Sequence, residues 1–169
     1  MKRLLVFVFA VILLGSCGKQ KTVKFVIERN TTPNIILDWQ CENLNSEPVG
    51  AVNSYLGYSY ISGDGVSQSE GDVSLSWFSQ NHPNVDNSYP RNSVEETSEI
   101  SMLKGDNVGI NYRVLSQCVE GESFTFKAIV NNKKEYIIAE HISASSSYPP
   151  NAVNLWFADY DETINWIVP

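Results

Sequence analysis

From residue 23 onward, apolar residues recur at every second position. Val23, Phe25 and Ile27 alternate with Lys24 and Glu28, and Ile35, Leu37, Trp39 and Cys41 alternate with Asp38 and Gln40. Val73, Leu75 and Trp77 follow the same rule, as do Val108, Ile110, Tyr112 and Val114. Phe124, Phe126, Ala128 and Val130 repeat it once more. A period of two sends one set of side chains inward and the other outward, which is the pattern of a half-buried antiparallel strand. Ala51–Ser62, with Tyr58 and Tyr60 on one face, Ile100–Met102, Tyr136–Ile142 and Val153–Phe157 bring the number of expected strands to about nine. No convincing stretch of helical period follows residue 18, and Asp159–Thr163 has room for one helical turn at most.

Turn chemistry marks where the strands end. Asn131-Asn132 sits between two strand patterns and tolerates positive φ, so a hairpin is expected there. Gly63-Asp64-Gly65, Gly105-Asp106 and Glu120-Gly121 are further turn signals. Two longer segments read as loops, Gln80–Asn92 with Pro83 and Pro90, and Ser143–Asn151 with Pro149-Pro150. The expected fold is an all-β, antiparallel β-sandwich, immunoglobulin-like in architecture, with an up-and-down β-barrel as the alternative. The immunoglobulin likeness is one of architecture only. Trp39 precedes Cys41 where a core Trp should follow it, and Ser116 stands where a tyrosine corner would need Tyr.

The first residues follow a different rule. Lys2 and Arg3 precede the unbroken apolar run Leu4–Leu14, and Gly15, Ser16 and Cys17 come next. Eleven apolar residues cover roughly 16 Å as a helix, about half a bilayer core, which suits a signal h-region better than a permanent span. Leu14-Gly15-Ser16-Cys17 resembles the lipobox of bacterial lipoprotein precursors at all four positions. That resemblance covers only the first 17 residues. It implies diacylglyceryl transfer to the Cys17 thiol, cleavage before Cys17, and acylation of the new amino group. It also implies attachment to the membrane through those chains, since two or three of them give a stable anchor. Gly18, rather than Asp, after the lipidated position resembles proteins sent to the outer membrane, and the absence of an acidic cluster after it favours the periplasmic face. The expected organisation is a signal peptide over 1–16, a lipidated Cys and short tether over 17–22, and one sandwich domain over 23–169.

Charge then excludes one class of partner. The whole chain has 12 Lys+Arg against 19 Asp+Glu. Removing Lys2 and Arg3 with the signal leaves 10 basic residues against 19, a net charge of −9. So acidic a domain is ill suited to nucleic acid, which needs Lys and Arg for its phosphates. The same sum predicts that the membrane is reached through lipid rather than charge. In an oxidising compartment Cys41 and Cys118, 77 positions apart, are expected to form one disulfide, adding roughly 4 kcal/mol of stability by the chain-entropy model. Two buried thiols are the alternative.

Chemistry is sparse. His82 lies in a loop and His141 in a strand pattern, and no nucleophile elbow, zinc motif, phosphate loop or dinucleotide fingerprint occurs. No cofactor is expected beyond the acyl groups. Asp159, Asp161 and Glu162 cluster as a weak candidate for calcium, without the spacing of a dedicated loop. Tyr89, Tyr148, Trp156, Tyr160 and Trp166 fall off phase or in loops, where flat rings beside Asn and Asp can take sugars or peptides, or simply anchor turns. These features point to a lipid-anchored, non-catalytic envelope protein that binds a protein or glycan partner. A glycoside or peptide hydrolase with a carboxylate site is the alternative. Cys17→Ser should block maturation, leaving an unprocessed precursor on an immunoblot; release of cut, soluble mutant would refute the lipobox. Intact mass of the unreduced mature protein should fall two hydrogens short of the reduced form if Cys41 and Cys118 are bonded.

Overall fold

The computed structural model describes residues 20–37, 49–65, 67–80, 93–117, 119–143 and 157–169. They form nine strands: β1 (Gln20–Leu37), β2 (Val49–Ile61), β3 (Gln68–Gln80), β4 (Ser93–Glu96), β5 (Ile100–Leu103), β6 (Asn107–Gln117), β7 (Val119–Val130), β8 (Lys134–Ile142) and β9 (Phe157–Ile167). Every pairing is antiparallel. One sheet runs β4-β1-β7-β8, with β5 also paired to β1; the other runs β3-β2-β6-β9. The two sheets stay separate, so the fold is a sandwich and the barrel alternative falls.

Their inner faces carry the apolar phase read from the sequence. Phe25 and Ile27 of β1, Leu56 of β2, Ile110 and Val114 of β6, and Phe126 of β7 have no exposed surface. Tyr58 stacks on Phe25 with ring centroids 5.1 Å apart, and Tyr112 meets Phe126 at 5.3 Å. Burying a side chain of this size contributes about 1.5–3 kcal/mol.

The expected hairpin is β7–β8, and Asn131 and Asn132 both take φ of 53°. Three other expectations change. The two strands expected over 23–28 and 35–41 belong, as far as Leu37, to one strand, β1. Its register with β7 shifts between Thr31 and Ile36. Pro33 lies in that interval and has no N–H to give a ladder, so pairing slips rather than stops. The strand also opens at Gln20, inside the stretch read as tether. Asp159–Thr163 is strand rather than a helical turn, because β6 pairs with it along β9. Its run of acids hides the alternation that returns at Ile164 and Trp166. The short strand β4 carries no clear alternation of its own. It lies end to end with β5 along β1, the two forming one interrupted edge.

One charged pair breaks the apolar rule. Arg29 and Glu122 occupy inward positions of β1 and β7 and are 1% and 0% exposed. Arg29 Nε lies 3.3 Å from Glu122 Oε2, and Arg29 Nη2 donates to Ser93 Oγ of β4 at 3.1 Å. The Glu122 N–H donates to Ser143 Oγ at 3.1 Å, while neither carboxylate oxygen accepts a hydrogen bond. Burial raises the Glu122 pKa to about 7, against the opposing pull of Arg29. A buried charge left without its partner is costly. Arg29→Met should therefore lower stability by about 3–5 kcal/mol, and Arg29→Met/Glu122→Leu should recover most of that; equal denaturation midpoints for the two variants would refute the pairing. Because the folded carboxyl binds its proton more tightly than the unfolded one, its contribution is full below about pH 4.5 and fades as pH rises through 7. Over that window the wild type should lose up to about 3 kcal/mol relative to Glu122→Gln in urea titrations. Parallel pH profiles would show that the carboxyl does not titrate there.

Candidate functional site

Outward positions of the β3-β2-β6-β9 sheet form an open groove. Along β2 they are Asn53, Tyr55, Gly57, Ser59 and Ile61, the phase opposite to buried Val52, Leu56 and Tyr60. Across the sheet, Gly57 pairs with Asp72 of β3 and Asn111 of β6, and Asn111 pairs with Thr163 of β9. In the next row Ser59 pairs with Glu70 and Gly109. Two glycines on neighbouring strands lower the surface here, so that the side chains of Tyr55 and Ser59 lie down over them and the depression is open and shallow. Its volume is about 480 Å³, and Tyr55, Glu70, Asp72, Asn111 and Thr163 are among its lining residues. A second depression of about 620 Å³ shares Ser59, Glu70 and Gly109 and runs on to Ile61 and Gln68. The two join into one groove along the strands, from Tyr55 to Ile61, roughly 20 Å at the rise of a β-strand.

Local packing fixes the groove. A Cβ on Gly57 would fall 3.0 Å from both Cε1 and Cζ of Tyr55, so the tyrosine ring lies over space that only glycine leaves. The Arg113 guanidinium sits 4.9 Å from the centre of that ring, a cation–π contact. Tyr55 is thus held between a glycine and a cation. At Gly109 a Cβ would come 2.8 Å from Ser59 Oγ. Asn111 Nδ2 donates to Thr163 Oγ1 at 3.3 Å, aligning two hydrogen-bonding groups on one wall. Glu70 and Asp72 are two positions apart on β3 and form the opposite wall. They stand side by side, not face to face across the groove as the acid and base of a glycosidase flank their bond.

The residues singled out from the sequence are not gathered here. Cys17, Cys41, Cys118, Tyr89, Tyr148, Trp156 and His82 lie outside the described residues. Tyr160 belongs to β9, and so does Trp166, which is half-buried. The Trp166 ring meets Phe25 at 5.8 Å and Tyr136 at 6.2 Å, so it packs on the core. Asp159, Asp161 and Glu162 share β9, whose register with β6 shifts at Asp159, between the pairs Val114–Tyr160 and Leu115–Ala158. Glu162 is exposed and accepts a hydrogen bond from the Tyr112 hydroxyl at 2.9 Å. Among the described residues no group of three His, Cys, Asp or Glu is placed to hold a metal ion.

Sequence reasoning missed the groove because its polar residues look like ordinary solvent-facing positions. The signal was there in phase: Tyr55-x-Gly57-x-Ser59, Glu70-x-Asp72 and Gly109-x-Asn111 each put small or hydrogen-bonding residues on the outward set. Comparison with protein-family models, with curated proteins and with solved structures returns no match, so the functional reading rests on this geometry.

Proposed function

We propose that the chain is a lipid-anchored protein of the bacterial cell envelope, held through Cys17, whose sandwich is a non-catalytic module that binds a glycan in the groove of the β3-β2-β6-β9 sheet. The observation that carries this reading is the trough over Gly57 and Gly109, with its lining of Tyr55, Glu70, Asp72, Asn111 and Thr163. An aromatic ring beside carboxylate, amide and hydroxyl groups matches the alternating C–H faces and hydroxyls of a sugar. A groove open along its length suits a chain rather than a small enclosed ligand. The outward polarity argues against a protein partner here, because stable protein interfaces carry an apolar, aromatic-rich centre.

The test is calorimetric titration of the mature protein with a panel of bacterial polysaccharides and peptidoglycan fragments. At least one should bind. Asp72→Asn should weaken it by roughly tenfold, the cost of one charge-assisted hydrogen bond, without moving the melting temperature. Tyr55→Ala should weaken it as well, and Gly109→Val should do so by filling the trough. No binding across the panel, or binding indifferent to all three substitutions, overturns the reading. Release of new reducing ends from any member of the panel would overturn the non-catalytic reading.

A further inference from the structure

We infer that the sandwich stands on end upon the membrane, with one defined end, the one that carries its tight turns, resting on anionic phospholipid headgroups. This builds on anchoring through Cys17. The start of β1 and three turns share that end, and hydrogen bonds tie them together. Gln20 pairs with Leu103, and the Asn131 N–H donates to the Thr22 carbonyl at 2.7 Å. The Gly105 N–H donates to the Val168 carbonyl at 2.7 Å, and the Val168 N–H to the Asp106 carbonyl at 2.9 Å. The Gly63 N–H reaches Asp106 Oδ2 at 3.2 Å. Residues 62–65, 104–106 and 131–133 and the end of β9 therefore form one rigid cap around Gln20.

Covalent geometry then fixes the distance to the lipid. Three Cα–Cα steps separate Cys17 from Gln20, at most about 11 Å whatever their path. The middle of β1 already lies far beyond that reach, and with it Val94, which pairs with Glu28, and Ile142, which pairs with Ser123 opposite Asn30. Those positions are eight to ten residues along the strand from Gln20, roughly 26–33 Å away.

The cap also has the chemistry of a headgroup contact. Lys104, Lys133 and Lys134 are exposed on it and Lys21 is half-buried beside them, so four of the ten basic residues left after signal removal stand at this end. Its acids keep their charge, and Glu135 beside Lys134 pairs with Lys127, while the other three are oriented by hydrogen bonds within the cap. Asp106 accepts from the Tyr60 hydroxyl at 2.7 Å, Glu99 from Asn132 Nδ2 at 2.9 Å, and Asp64 from Ser62 Oγ. Ile61 and Ile167, 61% and 57% exposed, end β2 and β9 at the same rim. Lysines beside exposed aliphatic side chains suit the boundary between phosphate and acyl chain. Four lysines against Asp64, Glu99, Asp106 and Glu135 leave this cap near neutral within a domain of net charge −9, so the acyl chains attach it and the exposed lysines orient it.

The lipidated full chain, reconstituted in phosphatidylethanolamine–phosphatidylglycerol vesicles, tests this. A photoreactive benzophenone side chain replaces Ile61 or Ile167 at the cap, or Val94 or Ile142 at the far ends of β4 and β8, all four exposed strand positions. Lipid adducts should form from 61 and 167 in several-fold excess over 94 and 142. Lys104→Gln, Lys133→Gln and Lys134→Gln together should cut the yield at 61 several-fold. Equal yields from both ends, or an excess from 94 and 142, overturn the orientation on protein whose intact mass shows the acylated Cys17. A mass without acyl groups overturns the anchoring itself.

Discussion

Pairing of β1 along both of its edges is the constraint on which the rest of the sandwich depends. β7 runs beside it from Val23 to Thr31 and again at Ile36 and Leu37, while β5 and β4 share its other edge in succession. A strand buried on both sides must have every backbone group satisfied, and the break between β5 and β4 falls beside Phe25, a wholly buried residue. Thr97 closes that gap. Its N–H donates to the Phe25 carbonyl at 2.9 Å, and its Oγ1 accepts the Phe25 N–H at 3.0 Å. One side-chain oxygen thus replaces a missing ladder bond, and Phe25 can enter the core and support Tyr58 and Trp166.

The same strand carries Arg29 inward, and here the core changes from dispersion to charge. Gly121 takes φ of 93°, a conformation open to glycine, immediately before Glu122 on the facing strand. The Gly121 N–H bonds the Ser143 carbonyl and the Ser143 N–H bonds the Glu122 carbonyl, so β7 is held to the end of β8 at this point. Arg29 joins β4, β1 and β7 through Ser93 and Glu122. A leucine pair would fill such a space with less desolvation. The charged pair instead specifies which strands meet, because any slip of β1 against β7 by one residue would place one charge inside without the other.

How much of this was legible follows from which signals survive in one dimension. Alternation located the core phase of β1, β6 and β7, and Asn131-Asn132 located a hairpin, since both are local properties of the chain. The short edge strand β4 carries little alternation and is defined by its partner β1, which no local window contains. β9 was obscured because Asp159, Asp161 and Glu162 interrupt its apolar phase. Arg29 and Glu122 held an unread clue: each sits on the apolar phase of its strand, beside Ile27 and Phe124. Opposite charges on the inward phase of two strands suggest that those strands pair. The groove was harder, because Gly57 and Gly109 become adjacent only when β2 and β6 are placed in register.

β2 connects the two functional proposals mechanically. Its outward face carries Tyr55, Gly57 and Ser59 in the groove and then Ile61 at the membrane-facing cap, all on one paired strand. A hydrogen-bonded strand between two neighbours does not flex independently, so the distance from cap to groove is set by residue count: Gly57 is four positions from Ile61, roughly 13 Å. The groove's long axis follows the strands, so in the proposed orientation it would rise from the membrane rather than run parallel to it. A glycan chain lying in it would be held upright beside the bilayer, with Asp72 and Asn111 reading its upper units and Glu70 its lower ones. Under the proposed anchoring, the three steps from Cys17 to Gln20 would keep this alignment, whereas a long flexible tether would let the sandwich tumble and erase it.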